Sequence, residues 1–308
     1  MHTLLSPLDR SSISSISISH HGSFDGDVET DNSNFNPHDQ FTNDLEASKV
    51  SNADTYSANK INGRHALHMA VIRNSSQSVV SALIRVAPES VKVADIFGRL
   101  PLHYAVEHSV GDDVVMSLLA EYPAAASLAD KSGRLPLHLA VVKSRSDAVL
   151  IALLDAHPKA ASVVSDSGRL PLHDAALHVS SEAVIAMLLT AHPQAASARD
   201  HESQLPLHEA AGHNNVAVVI ALLAAHPDAA ASANSSGCLP LHEAARRSKS
   251  PDVCAALLKA FPDAAQFKDK NGRSPLHLAV AFNRNMDIFS HLLTFYPDAS
   301  KLTDNHGA

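Results

Sequence analysis

Histidine is the residue type through which this chain could most readily do chemistry, because 21 of its 308 residues are histidine. Imidazole nitrogens ligate zinc and exchange protons near neutral pH. A shared zinc ion needs ligands within about 2.0–2.3 Å of the metal, so the spacing of the histidines decides whether that chemistry is available. Seven of them follow a leucine at intervals of 34 or 35 residues: His68, His103, His138, His173, His208, His242 and His277.

A period of this length is typical of a solenoid, in which each structural unit stacks only on its neighbours. One repeat histidine per unit places these side chains roughly 10 Å apart, at the spacing of packed helices. That distance is too large for a shared zinc ion. We therefore expect structural roles for the repeat histidines and no metal site among them.

Two further sets of histidines keep the same period. Helix C-termini favour cationic side chains, so capping is the expected role of the set that precedes prolines: His157, His192 and His226. The other set follows the repeat histidines by five residues: His108, His178 and His213. For His178 and His213, which lie in adjacent units, a surface metal site or a pH-sensitive contact is the alternative to a plain surface role.

Motifs of catalysis are missing from the chain. It has no Walker loop, no Gly-x-Ser-x-Gly and no His-Glu-x-x-His. The two His-Glu pairs, at Glu209 and Glu243, belong to the repeat pattern. We therefore expect no enzyme activity, no catalytic residue and no cofactor.

Composition limits the partners and the compartment. The net charge is −8, and residues 1–60 carry nine acidic against three basic residues. A nucleic-acid-binding domain would show a basic excess, so no nucleic acid is expected. No run of 18 apolar residues exists, which argues against membrane insertion. Cys238 and Cys254 are too few for a disulfide framework, so we expect reduced thiols and a cytoplasmic protein, with the nucleus as the second location.

The chain divides into two regions. Residues 1–58 are rich in Ser, Asn and Asp and poor in apolar residues, so they cannot bury enough surface to offset the entropy lost on ordering. We predict that this segment is disordered. The repeating units begin at about residue 59 and continue to residue 308.

Each unit carries signals for a turn and two helices. In one unit, Asp95-x-x-Gly98 has the chemistry of a turn, and Pro101 suits the first turn of a helix. Apolar residues with helical spacing follow in two stripes, and a proline ends the second helix. Neither helix can bury its apolar face alone, so neighbouring units must stack. Leu154, in a second stripe, is expected in the core, where Leu154→Ala would cost about 2–5 kcal/mol.

The repeated Leu-Pro-Leu-His-x-Ala segment, followed by Val-Val-x-x-Leu-Leu, resembles the ankyrin repeat over residues 59–308. The resemblance implies an all-α helix-turn-helix solenoid with short β-hairpin fingers and a concave groove that binds proteins. It also implies that the repeat histidines bond the backbone where finger meets helix. The repeats are expected at residues 60–94, 95–129, 130–164, 165–199, 200–233, 234–268 and 269–303, and 304–308 open an eighth finger, which either closes the stack or marks a truncated sequence.

Two features depart from the family pattern. Most units have 35 residues instead of about 33, and the extra residues fall in loops. Leucine also replaces the threonine that usually precedes the proline, although leucine is a poor helix cap. The positions with leucine are Leu100, Leu135, Leu170, Leu205 and Leu239.

The resemblance places partner contacts at the finger tips and at the exposed end of the first helix of each unit. Residues at these positions vary between units while the framework is constant, as expected of a surface fitted to one partner or of unconstrained drift. The predicted contacts are Phe97 and Lys131 on fingers and Glu107, His108, Lys143, His178, His213, Arg246, Arg247 and Phe282 on first helices.

A row of arginines shares one place just after the turn: Arg64, Arg99, Arg134, Arg169 and Arg273. Guanidinium groups in a row could hold acidic residues of a partner, so Arg99, Arg134 and Arg169 are included among the predicted contacts. The alternative is that these arginines pair with the turn aspartates of the same or the next unit.

These observations predict a monomeric protein–protein interaction scaffold or adaptor that binds another protein on its groove and finger tips. A second hypothesis is a regulatory or targeting segment of a larger enzyme, channel or signalling protein. A third is a metal-buffering protein rich in histidine.

Overall fold

The computed structural model describes residues 63–143, 146–178, 181–213, 215–283, 285–301 and 303–305. The segment predicted to be disordered, residues 1–58, lies outside this range. So does most of the eighth finger, of which residues 304 and 305 are described.

The described residues form seven pairs of α-helices and no strand, which confirms the all-α solenoid. In each pair a shorter first helix is followed by a second helix of ten residues. The first helices are α1 Ala66–Ile72, α3 Pro101–Glu107, α5 Pro136–Lys143, α7 Pro171–Leu177, α9 Pro206–Ala211, α11 Pro240–Arg247 and α13 Pro275–Phe282. The second helices are α2 Gln77–Val86, α4 Asp112–Glu121, α6 Asp147–Ala156, α8 Glu182–Ala191, α10 Val216–Ala225, α12 Pro251–Ala260 and α14 Met286–Phe295.

A short 3₁₀ helix follows every second helix, a feature that the sequence analysis did not anticipate. The residue before its proline takes an extended backbone, as at His157 with φ −144° and ψ 85°, because proline excludes the α conformation there. The proline then begins the 3₁₀ turn, and in most units two alanines such as Ala160 and Ala161 are buried beneath it. The segments are Pro88–Lys92, Pro123–Ser127, Pro158–Ser162, Pro193–Ser197, Pro227–Ala231, Pro262–Gln266 and Pro297–Lys301.

The core runs the length of the stack and differs between its two helical rows. Small side chains such as Ala105, Ala175 and Ala244 are fully buried on first helices, whereas second helices bury leucine and valine. First helices can therefore approach one another more closely than second helices.

The leucines before the helical prolines belong to this core, which explains why a poor cap occupies the position. Leu100, Leu135 and Leu239 are at most 2% exposed. Leu154 corrects an expectation, because it is half-buried against the edge of the core while its neighbour Leu153 is fully buried.

Candidate protein-binding surface

Most of the described fingers are tight turns held by an acidic or amide side chain at their first position, and Ser165 takes that position in one finger. In the turn that begins at Asp130, the carboxylate oxygen Oδ1 accepts hydrogen bonds from the N–H groups of Ser132, at 2.9 Å, and Arg134, at 3.0 Å. The backbone closes the turn through a bond from the Asp130 N–H to the Arg134 carbonyl at 2.9 Å. This is the aspartate turn chemistry that the sequence predicts.

Consecutive fingers are joined by backbone hydrogen bonds. The Lys131 N–H donates to the Phe97 carbonyl at 2.8 Å, and the Asp166 N–H donates to the Ser132 carbonyl at 3.0 Å. The same bond recurs up to Asn305, whose N–H donates to the Asn271 carbonyl at 3.1 Å. The fingers therefore form one continuous edge instead of independent loops.

Each repeat histidine ties a helix to its own finger, and most tie it to the next finger as well. The Leu135 N–H donates to Nδ1 of His138 at 3.1 Å, and Nε2 of the same ring lies 3.3 Å from the Arg169 carbonyl of the following unit. Since Nδ1 accepts, the proton of the neutral ring is on Nε2, which donates. All seven repeat histidines accept a backbone N–H in this way.

Burial keeps the repeat histidines neutral. Six of the seven are at most 1% exposed. Burial lowers the pKa of His103 and of His242 from 6.5 to about 4, against smaller opposing effects of neighbouring carboxylates and carbonyls. It lowers the pKa of His68, His138 and His173 as well. In five of the repeat histidines both ring nitrogens are engaged with backbone groups, so these rings have no free nitrogen to ligate a metal.

The row of arginines that follows the turns, called the turn row below, is engaged within the protein. Arg99 Nε lies 3.2 Å from Asp130 Oδ2 of the next unit, and its Nη1 lies 2.6 Å from Glu107. Arg134 reaches the same Asp130 carboxylate at 3.0 Å. Arg64 approaches Asp95 at 3.5 Å, and Arg273 pairs with Asp269 at 2.8 Å.

Arg169 is the most heavily engaged member of the turn row. Its guanidinium lies 2.9 Å from Asp174, 2.7 Å from Glu209 and 3.6 Å from Asp200, and its side chain is 17% exposed. Burial alone would lower the pKa of Arg169, but hydrogen bonds to Glu209 and Asp174 outweigh it and raise that pKa. A partner could use this arginine only by displacing buried ion pairs.

Tyr104 joins a similar network in the second unit. Its hydroxyl donates to Asp95 Oδ2 at 2.7 Å and accepts from Arg64 Nη2 at 2.8 Å. Burial would raise the pKa of Asp95, but hydrogen bonds from Tyr104 and from the backbone N–H groups of Arg99 and Phe97 outweigh it and lower that pKa. These carboxylates stay ionised and hold the turns.

A second row of basic side chains lies at the C-terminal ends of the first helices, at the position five residues after each repeat histidine. We call it the helix-end row. Five of its basic members were predicted contacts, whereas the sequence analysis missed Arg73. The row consists of Arg73, His108, Lys143, His178, His213 and Arg247, and Phe282 takes the seventh place.

Most of the helix-end row faces solvent. Arg73, His108, Lys143 and His178 are exposed, and His213 is half-buried. Burial, followed by the charge of Arg247, lowers the pKa of His213, against the raising effect of Glu209. The periodic signal that would have found Arg73 is its offset of five from His68, which is the offset of His108 from His103.

The other predicted contacts fall into two groups. Glu107 and Arg246 are engaged in ion pairs, with Arg99 at 2.6 Å and with Glu243 at 2.6 Å. Phe97 is 46% exposed on its finger, and Phe282 is 60% exposed at the end of α13. Lys131 is exposed beside Phe97, to which its backbone is bonded.

The described residues give little support for metal binding, membrane insertion or a nucleophilic cysteine. Among the described residues no group of three or more His, Cys, Asp or Glu could hold a metal ion, and no helix has the length and apolar character needed to cross a bilayer. Cys238 and Cys254 are free and buried, and burial raises the pKa of the two thiols to about 11 and about 12. Neither thiol is activated as a nucleophile.

Comparisons with known proteins agree with this architecture. A family model described as ankyrin repeats (3 copies) matches residues 172–266 and 207–305. No curated protein matches the chain significantly. The ankyrin repeat domain of Bcl-3, a unique member of the IkappaB protein family, is 25% identical with a TM-score of 0.56, and the match covers 75% of this chain and 99% of that one. The human ASB11 ankyrin repeat domain is 24% identical with a TM-score of 0.60, covering 75% and 98%.

The helix pairs, the turns, the repeat histidines and these matches together show that the chain belongs to the ankyrin repeat family. Ankyrin repeat domains are in general protein-interaction modules and are typically not catalytic.

Proposed function

We propose that this protein is a non-catalytic scaffold or adaptor that binds a partner protein on the first-helix side of the solenoid and on its finger tips. The observation that carries the proposal is the helix-end row. Most of its side chains face solvent, and within the described residues neither Arg73 nor Lys143 forms an ion pair. The turn row, by contrast, stabilises the fold.

A rigid surface supports this role. The fingers are linked by backbone bonds, and the ends of neighbouring first helices are linked as well, since Ser109 Oγ donates to the Lys143 carbonyl at 2.7 Å. Ser248 Oγ donates to the His213 carbonyl at 3.2 Å in the same way. A surface ordered before binding loses little conformational entropy when a partner arrives, so more of the contact energy remains as affinity.

We also propose that the protein acts as a monomer in the cytoplasm. Two free, buried cysteines support a reducing compartment, where thiols persist without forming disulfides.

The test is affinity capture from an extract of the source cells with the full chain as bait. The variant that changes the proposed surface carries Arg73→Glu and Lys143→Glu. The matched control carries Arg85→Glu and Lys159→Glu, which reverses one arginine and one lysine that are equally exposed on the second-helix side. Reversing Arg99, Arg134 and Arg169 would be a poor test, because those arginines hold turns and buried carboxylates.

We expect a partner that is retained by the parent and by the Arg85 and Lys159 control, and lost by the Arg73 and Lys143 variant. The same circular dichroism melting curve for all three proteins would show that binding, not folding, has changed. A partner that is lost equally from both variants would contradict the proposed surface.

A further inference from the structure

The helix-end row is basic to an extent that composition does not explain. The chain has 24 Lys and Arg and 21 His among 308 residues, about one residue in seven. At this position six of seven units carry one of these three residues. Arg and Lys present only N–H donors, and His presents at least one. The row therefore suits a ligand rich in oxygen acceptors with negative charge.

The positions that flank the row in the sequence add little negative charge to it. The flanking position on one side holds Ile72, Glu107, Val142, Leu177, Gly212, Arg246 and Ala281, and the position on the other side holds uncharged residues in all seven units. The acidic neighbours are Glu107, whose charge is offset by Arg99 at 2.6 Å, and the buried Glu209 and Glu243, which lie near Arg247. Arg247 lies 3.2 Å from Glu243 but remains exposed at its helix end.

Helix dipoles account for part of this pattern only. Cations are favoured at every helix C-terminus, so the dipole acts equally on first and second helices. The second helices carry Lys or Arg in the last turn in two units, at Arg85 and Lys259, and histidine at the cap in three, at His157, His192 and His226. The first helices differ in that the basic residue recurs at one fixed place, five residues after the repeat histidine, in six of seven units.

The spacing of the row indicates the shape of its ligand. Packed helices are about 8–10 Å apart, so consecutive row members repeat at that distance. A polyproline II segment advances about 3.1 Å per residue with three residues per turn, which brings every third side chain to the same face at intervals of about 9 Å. An extended peptide with a carboxylate at every third residue would therefore meet one basic side chain per unit.

We propose that the helix-end row binds an acidic, extended segment of the partner protein in which Asp or Glu recurs at every third residue. This inference rests on the proposed function and names the chemistry of the partner. The residues between the carboxylates contact the half-buried side chains of Val142 and Leu177 beside the row. Phe282, 60% exposed at the seventh place, sets the direction in which the segment binds, because it suits an apolar residue beyond the last carboxylate.

A nucleic acid fits the surface less well. The net charge of the protein is −8, and the basic groups form a single file, one per unit, without the broad basic face that phosphate backbones require. A peptide with one charge per unit matches a single file.

The test uses the full chain and two labelled peptides of 18 residues, with binding followed by fluorescence anisotropy. The first peptide is six repeats of Glu-Pro-Pro, and the second has the same composition with its six Glu residues contiguous in the centre. We expect the first peptide to bind about tenfold more tightly than the second, and Arg73→Glu with Lys143→Glu to weaken it by about tenfold or more. The Arg85→Glu and Lys159→Glu control should bind like the parent.

Three results would overturn the inference: equal affinity for the two peptides, equal affinity for a single-stranded oligonucleotide with six phosphates, or no effect of the Arg73 and Lys143 variant. If cell extract yields a partner that depends on the helix-end row while the Glu-Pro-Pro peptide fails to bind, the proposed function stands and the acidic-segment inference falls. If neither partner nor peptide depends on the row, both fall.

Discussion

Two rows of basic side chains run along this solenoid, and their surroundings make them different in kind. Members of the turn row lie beside buried carboxylates, such as Asp130 with 2% of its side chain exposed and Glu209 with 7%. Members of the helix-end row, such as Arg73 and Lys143, face solvent. The sequence shows both rows at the same period and names members of both as candidate contacts.

The contrast shows how burial decides the use of a charge. A guanidinium paired with a buried carboxylate offsets the free-energy cost of burying that charge. Removing the arginine therefore destabilises the fold. An exposed ammonium contributes little to stability, because water screens it. Charge that the fold does not use is available to a partner.

Of the changes considered, acid should lower the free energy of unfolding most. It should act through the repeat histidines and the turn aspartates. Burial lowers the folded-state pKa of His103 and His242 to about 4 from an unfolded value of 6.5, so unfolding takes up protons between these limits. Stability is complete above about pH 6.5 and falls as the pH drops toward 4, by roughly 3 kcal/mol for each of these two histidines. Below about pH 4 the loss continues, because Asp95, Asp130 and Asp269 have lowered pKa values.

Urea denaturation followed by circular dichroism at pH 7, 5.5 and 4.5 measures this dependence. The Arg73→Glu and Lys143→Glu variant should show the same loss as the parent, since its changes lie away from the turns. A free energy of unfolding that stays constant from pH 7 to pH 4.5 would show that the repeat histidines are not held neutral by burial.

A comparison of single alanine variants separates the two rows directly. Arg169→Ala removes the partner of Glu209, Asp174 and Asp200, and should lower the free energy of unfolding by about 3 kcal/mol. Lys143→Ala removes an exposed side chain and should change it by less than about 0.5 kcal/mol. If urea denaturation gave the same loss of unfolding free energy for both variants, the two rows would not differ in their contribution to stability.

The smallest expected effect on stability is that of a substitution in the fifth finger, residues 200–204, where Gln204 takes the place of the turn-row arginine. Ser203 has a φ of +57° at the place where other units have glycine, and an L-residue is disfavoured there. Ser203→Gly should therefore raise the free energy of unfolding by about 0.5 kcal/mol after the entropy cost of glycine is subtracted.

Gly168→Ala, in the fourth finger, is the opposite control. Its φ is +76°, and an added Cβ would lie 2.9 Å from the His201 backbone nitrogen, so thermal melting should show a clear loss. A gain of stability in Gly168→Ala, or a loss in Ser203→Gly, would show that the finger does not require glycine geometry.

Much of the fold follows from local signals in the sequence. Pro101 at the start of a helix, His103 three residues after its cap and Asp130 at the start of a turn each act within a few residues, so one unit suffices to recognise them. The 3₁₀ turns were missed because proline was read only as the end of a helix. The core position of Leu154 was wrong, because its burial depends on how closely the next unit approaches.

The binding surface was predictable as a set of positions but not as a choice between rows. The helix-end residues His108, Lys143, His178, His213 and Arg247 were predicted contacts, and they lie on one edge of the solenoid. Arg99, Arg134 and Arg169 were predicted contacts as well, yet they are engaged with Asp130, Glu107, Asp174, Asp200 and Glu209.

The sequence by itself determined the period, the pairing of helices, the turns and the place of each repeat histidine, because these depend on interactions within one unit. Only the tertiary structure decided which basic row keeps exposed members without ion pairs, namely Arg73 and Lys143. Arg99 meets Asp130 across 31 residues, and Arg169 meets Glu209 across 40. Such pairs exist only once neighbouring units stack in register, since stacking both brings the charges together and removes the water that would otherwise screen them.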